Sequence, residues 1–262
     1  MKELELLLSQ VEVFAEPSVE LEQYHTPAHI AARLLFTMHA TFGDIEDKSV
    51  GDFGCGGGTL ALGAAMLGAG SVLGLELDPA ALALAAANAD DFGIELELVH
   101  CDVAGLAAMP PAPVGAAGPT LLDTIVMNPP FGTRCKGVDM AFLALALRRC
   151  SGAVYSLHKT STRAHVLKSA RSMGAEPEVL AELKYPIARS YDFHKKKSQD
   201  VAVDFIRFAV ARGDAAAQAS QSGRQAAGRT AAAAAKQAAG EQRRRGKASV
   251  RKGGGGRNLR KR

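Results

Sequence analysis

The sequence predicts an α/β fold: about seven mostly parallel strands in one sheet, helices on both faces, and a last strand running antiparallel. Three observations support it. From Asp44 onward, short apolar runs of strand length alternate with helix-length stretches, the pattern of parallel strands joined by right-handed crossovers. A glycine-rich turn, Gly54 to Gly58, follows the first run, where backbone can approach a ligand at a helix N-terminus. The last two runs have no helical pattern between them, so the final strand turns back on its neighbour.

The elements follow in order. Leu4, Leu7, Leu8 and Val11 recur at helical spacing, giving an N-terminal helix that ends before Pro17. Thr26-Pro27 reads as N-cap and first helical position, with Ile30, Leu34, Leu35 and Met38 as the apolar stripe. Strands are expected at 49–53, 71–76, 95–100, 121–127, 153–157, 178–183 and 201–210. Helices are expected at 60–67, 79–92, 139–150 and 162–173, with an irregular Pro/Gly loop over 110–119.

Charge divides the chain. From Arg212 onward there are 14 Lys/Arg against 2 Asp/Glu, a charge of +12, which leaves −8 of the net +4 for residues 1–211. A tail so poor in apolar side chains cannot offset its ordering entropy, so 212–262 is expected to be a disordered basic extension. Residues 1–211 suit one domain, with 1–43 as a helical lid region. The tail clusters at 243–245, 251–252 and 260–262 resemble nucleic-acid or nuclear-import patches, or a solubilising extension. Cys55, Cys101, Cys135 and Cys150 are far apart, with no Cys-x-x-Cys pair, which argues against a zinc site and a disulfide framework. Neither a signal peptide nor an apolar run of membrane-spanning length is expected, so the protein is expected to be soluble and intracellular.

Two corners carry the chemistry. Gly54-x-Gly56-x-Gly58 lacks the last glycine of a pyrophosphate fingerprint, because Thr59 stands in its place. Glu76 lies 22 residues after Gly54, about where an acid grips ribose hydroxyls. Asp102, after the third strand, could read an adenine amino group or merely cap a helix. The second corner is Asn128-Pro129-Pro130-Phe131, closing the strand that ends at Met127. An exocyclic amine is a poor nucleophile because its lone pair is delocalised. The Asn128 side-chain carbonyl and the Pro129 backbone carbonyl can accept its protons and stabilise the charge that develops on nitrogen. Pro130 stiffens the corner and Phe131 offers a stacking face, worth roughly 1–3 kcal/mol. The pairing points to an amine-directed methyltransferase.

Longer strings sharpen this. Leu21-Glu22-Gln23-Tyr24, Pro27 to Arg33, Met66 to Gly70, Met127 to Thr133, Tyr155 to Lys159 and Phe193 to Ser198 together resemble the methyltransferase-like protein 5 family, from Leu4 to about Phe208. That resemblance implies a Rossmann-like class I S-adenosylmethionine-dependent fold and transfer of a methyl group to the N6 amine of an adenosine in small-subunit (18S) ribosomal RNA. It implies cofactor contacts at Gln23, Thr26, Gly54, Gly57, Thr59, Glu76, Asp102 and Val103, and a catalytic role for Asn128, Pro129, Pro130 and Phe131. It also implies a small zinc-binding activator subunit as partner, with the protein in nucleus and cytoplasm. Glu76 departs from the family's usual Asp, and Gly57 and Thr59 replace bulkier or apolar residues.

Lys195, Lys196 and Lys197 are expected to bind RNA phosphates. His158 and Lys159 either line the pocket or cap. The rival readings are glutamine-amide or DNA-adenine methylation, which use similar Asn-Pro-Pro-aromatic corners, and a non-catalytic RNA-assembly factor with a vestigial cofactor fold.

Overall fold

A computed structural model describes residues 1–109, 121–188 and 198–210. Side chains at 187–188 and 198–199 are not among those described. The expected 110–119 loop, the Lys195–Lys197 run and the 212–262 tail lie outside the described residues. The described residues fall within one unit, Met1–Ala211.

Parallel strands β1 (Ser49–Phe53), β2 (Ser71–Glu76), β3 (Glu97–His100), β4 (Leu122–Met127) and β5 (Cys150–Lys159) are followed by β6 (Ala175–Ala188) and β7 (Ser198–Val210). They form one seven-stranded sheet in the order β3-β2-β1-β4-β5-β7-β6. β7 runs antiparallel to both β5 and β6, as the missing crossover helix requires. The strand order reverses between β1 and β4, and open α/β sheets bind ligands outside the carboxyl ends of strands at such a switch.

Two cores sit on opposite faces, and the period of two sorts residues between them. Val126, Tyr155 and Phe205 face α1 (Lys2–Leu8), α2 (Ala28–Ala40) and α3 (Thr59–Met66). Ile125, Met127, Val154, Ile206 and Phe208 face α6 (Val138–Arg149) and α7 (Arg163–Ser172). α4 (Pro79–Phe92) starts with Asp78 accepting from Ala80 N at 2.9 Å and with Pro79 in its first turn, and Gly93 closes it at φ 62°.

Three expectations need correction. A helix, α5 (Val103–Ala108), lies where none was expected. Its six residues are too few to display a period, but Asp102 caps it by accepting from Gly105 N at 2.9 Å. Thr26 does not cap α2. Pro27 is the cap, its side chain has no acceptor to offer, and the Thr26 hydroxyl instead accepts from Asn128. Strands β5, β6 and β7 run longer than their apolar stretches, because β5 starts at Cys150 beside β4 and the antiparallel ladder with β7 carries β5 to Lys159 and β6 from Ala175 to Ala188. Among the described residues no helix is long and apolar enough to cross a membrane.

Candidate active site

The carboxyl ends of β1, β2 and β4 bring two cavities together, of about 230 and 40 Å³. They share Phe14, Tyr24, Gly54, Gly56 and Asn128. Gln23, Glu76, Asp102, Val103 and Pro130 line the larger, and Thr26, Gly57 and Thr59 the smaller. Gly54 and Gly56 take φ of +77° and +54°, so the loop can turn beneath the cavities with no side chain; a Cβ on Gly54 would lie 3.1 Å from the Phe142 ring.

Asn128 directly follows β4, and its amide nitrogen is fully engaged. Nδ2 donates to the Tyr185 hydroxyl at 2.8 Å, to Thr26 Oγ1 at 3.0 Å and, weakly, to the Tyr24 carbonyl at 3.4 Å. The network fixes which end is nitrogen. A carbonyl can only accept, and the Tyr185 hydroxyl donates its own proton to His25 O at 3.1 Å. Burial pushes the Tyr185 pKa up to about 12, so the hydroxyl keeps that proton. The Asn128 Oδ1 that remains is buried and has no hydrogen-bond partner among the described residues. An unmet buried acceptor costs about 1–3 kcal/mol, so a carbonyl held this way is aimed at a donor from outside the chain.

Phe131 lines neither cavity. Tyr24 stacks on its ring at 5.9 Å between centroids and 24° between planes, and Tyr185 packs edge-on at 6.0 Å. The open stacking face expected of Phe131 is therefore covered by Tyr24, a residue of the lid. Lys159 Nζ lies 5.8 Å from the Phe131 centroid. Pro129 is buried. His158 neither lines a cavity nor caps; it is fully buried, hydrogen-bonded to Ser156 Oγ at 3.0 Å and Asp139 at 3.3 Å.

At the other end, Glu76 ties the glycine loop to the start of α4. One carboxylate oxygen accepts from Gly56 N at 2.8 Å, the other from Leu77 N and Asp78 N at 2.8 and 2.9 Å. Gln23 Nε2 donates to Asp78 at 2.6 Å while its carbonyl accepts from Ser18 N at 2.7 Å, fastening the lid to the sheet. The bond from Gln23 holds the Asp78 pKa below its ordinary value.

Asp52 was not singled out by sequence reasoning, although it stands in β1 two residues before the glycine turn. It is buried in the wall of the smaller cavity, with one oxygen accepting from Ala61 N at 3.0 Å and the other without a partner among the described residues. Burial, together with the nearby Glu76 charge and against the Ala61 bond, raises its pKa to about 7. Tyr185 was missed as well, and nothing near it in sequence marks it; it reaches Asn128 across 57 residues only because β6 folds onto β7.

Known proteins decide the family. An rRNA N(6)-adenosine-methyltransferase METTL5 from Danio rerio is 48% identical over 210 residues, which cover 79% of this chain and 98% of that one. One from Drosophila melanogaster is 45% identical over 211 residues, 80% of this chain and 96% of that one. The chain belongs to the METTL5 family. The crystal structure of PH1948 from Pyrococcus horikoshii superposes with a TM-score of 0.68 at 34% identity, covering 80% of this chain and 98% of that one. A family profile described as ribosomal protein L11 methyltransferase (PrmA) matches residues 22–117, ending before Asn128, so that likeness covers the cofactor half and not the substrate corner.

Like its METTL5 relatives, the chain is a methyltransferase with a Rossmann-like fold, and its methyl donor is S-adenosylmethionine. The residues present fit that group. Asp52 offers an unpartnered carboxylate oxygen, suited to an α-ammonium, in the smaller cavity. Glu76 and Asp102 offer acceptors for hydroxyl and amino donors in the larger one, where Leu77, Val103 and Phe142 supply apolar walls for an adenine ring.

Proposed function

We propose that this chain transfers a methyl group from S-adenosylmethionine to the exocyclic N6 amine of an adenosine in small-subunit (18S) ribosomal RNA. The observation that carries this reading is the Asn128 carbonyl, buried, unpartnered and held in orientation by Thr26, Tyr24 and Tyr185. The names of the relatives support the substrate class.

The cofactor supplies an electrophilic methyl carbon on a sulfonium. Asn128 Oδ1 would accept one N6 proton of the adenosine and the Pro129 backbone carbonyl the other, leaving the nitrogen lone pair free for the methyl. As the N–C bond forms and the C–S bond breaks, positive charge builds on N6 and these dipoles stabilise it. S-Adenosylhomocysteine is the leaving group, and the acidic N6 proton passes to water. Such a corner is closed to a paired base, so the adenosine arrives unpaired or flipped. Tyr24 must shift to let the base stack on Phe131, and Lys159 beside that ring is placed to meet a phosphate. Gln23, Thr26, Gly54, Gly57, Thr59, Glu76, Asp102 and Val103 hold the cofactor.

A small zinc-binding activator subunit is proposed to cover β3. This strand is one edge of the sheet, with Glu97 exposed and Val99 44% exposed, and Glu95 exposed just before it. Edge strands of this kind recruit a further strand through main-chain hydrogen bonds. Lys195, Lys196 and Lys197 are proposed as phosphate contacts, and the basic tail as the signal that places the protein in nucleus as well as cytoplasm.

Incubating the full chain, with its activator, with methyl-labelled S-adenosylmethionine and total RNA tests the activity. Nucleoside analysis should recover the label as N6-methyladenosine from the small-subunit RNA. Label in protein, or in another nucleoside, would overturn the substrate.

A further inference from the structure

Glu22 is the second carboxylate at the site with an unexplained oxygen. It sits in a tight turn of the lid, where Glu22 N donates to Val19 O at 3.2 Å and Gln23 N to Ser18 O at 3.1 Å. Its φ is +51°, a left-handed conformation that costs a non-glycine residue on the order of 1 kcal/mol and recurs at ligand sites. The side chain is 5% exposed and lines the larger cavity. One oxygen accepts from Arg134 N at 2.7 Å, joining the lid to the segment that follows Phe131. The other, Oε2, is buried and has no hydrogen-bond partner among the described residues.

The donors available to it can be narrowed. Asp52, the carboxylate suited to an ammonium, lines the smaller cavity, whereas Glu22 shares the larger one with Glu76 and Asp102, the nucleoside end. On an adenosine the only donors are the N6 amine and the ribose hydroxyls. In the reading above, Asn128 takes the amine of the substrate and Asp102 that of the cofactor. The hydroxyls remain: Glu76 faces the same cavity and can take one hydroxyl of a ribose, which leaves another for Glu22.

We propose that Glu22 accepts a hydrogen bond from a ribose hydroxyl, so that the lid closes on the nucleoside it covers. The hydroxyl belongs either to the cofactor's ribose or to that of the target nucleotide, where within an RNA strand it is the 2′-hydroxyl. This rests on the methyltransferase reading, and in its second form it makes Glu22 a determinant of RNA over DNA. Glu22 would thereby link two events: filling of the cavity and ordering of the segment bearing Arg134, next to the catalytic corner.

The test removes the hydroxyl and the carboxylate separately and together. In the cofactor arm, calorimetry compares S-adenosylhomocysteine with its 2′-deoxy and 3′-deoxy analogues on the full chain with its activator, for wild type and Glu22→Gln. In the substrate arm, KM and kcat are compared for RNA carrying adenosine or 2′-deoxyadenosine at the methylated position. A charge-assisted bond predicts about a tenfold loss on deleting the correct hydroxyl from the wild-type complex, and less than about twofold in Glu22→Gln, because interacting groups are not additive. Should Glu22→Gln not fold, Glu22→Met fills the same space without a carboxylate acceptor. Fully additive losses in both arms, or no loss on deleting any of the hydroxyls, would overturn the proposal. The cofactor arm needs no RNA, so it stays readable even if the substrate proves not to be RNA.

Discussion

At the scale of single residues, the site is a set of acceptors held ready by the protein's own donors. Three of the buried oxygens left without partners among the described residues, on Glu22, Asp52 and Asn128, line these two cavities. Asp52 makes the clearest pH prediction. Its folded pKa lies above its unfolded value, so between the ordinary carboxylate range and about 7 the folded apo chain binds the extra proton. Stability contributed by that protonated form is therefore lost as pH rises through this window. A cationic ammonium prefers the ionised carboxylate, so affinity for S-adenosylhomocysteine should increase between about pH 6 and about pH 7.5, below the ordinary titration of an α-amino group. His25, in the same wall, has its pKa lowered by burial. In Asp52→Asn the affinity should be weaker and flat with pH; an unchanged slope by calorimetry would remove Asp52 from the cofactor site.

At the scale of elements, much of the fold was legible. β1, β2 and α4 fall on the bounds read from the sequence, because each is a single apolar or alanine-rich run closed by Gly, Asp or Pro. The strand expected at 95–100 begins only at Glu97, though the expected alternation holds over 94–98, with Ile94, Leu96 and Leu98 partly buried and Glu95 and Glu97 exposed. The glycine loop and the Asn128 corner could be read because special backbone and amide chemistry leave distinctive residues. What could not be read is what β6 brings. Tyr185 looks like any apolar-strand tyrosine until β6 and β7 pair and set its hydroxyl against Asn128. The lid was legible only as a helical region, since the contacts of Glu22 and Gln23 reach 112 and 55 residues away. From this follows an expectation for Tyr185→Phe. It removes the nearest acceptor for Asn128 Nδ2 and a donor to His25 O. It should destabilise the fold by about 1–2 kcal/mol and loosen the amide, lowering kcat around tenfold. Thermal unfolding and single-turnover rates check both parts. A variant that loses stability but turns over at the wild-type rate would free Asn128 of this support.

At the scale of the whole molecule, the site occupies the middle of the sheet, and its two ends serve other purposes. β6, paired with β7, forms one edge of the sheet and β3 the other, and among the described residues neither edge carries a further strand. If an activator adds a strand there, Glu97→Pro should weaken the complex more than Glu97→Ala, because proline deletes a backbone donor as well as the side chain. Co-purification of the two subunits from cells measures this, and equal retention of both variants would place the partner elsewhere.

The central claim is that Asn128 holds the substrate amine and leaves the cofactor to other residues. It is tested most directly by measuring, on Asn128→Ala with the proposed activator, the single-turnover methylation rate at saturating cofactor beside the calorimetric affinity for S-adenosylhomocysteine. The structure predicts a rate lower by about a thousandfold or more, in line with losing a preorganised polar group at a developing charge, with affinity within about threefold of wild type, since no direct cofactor bond is lost. A parallel loss of affinity, or methylation at near the wild-type rate, would contradict it.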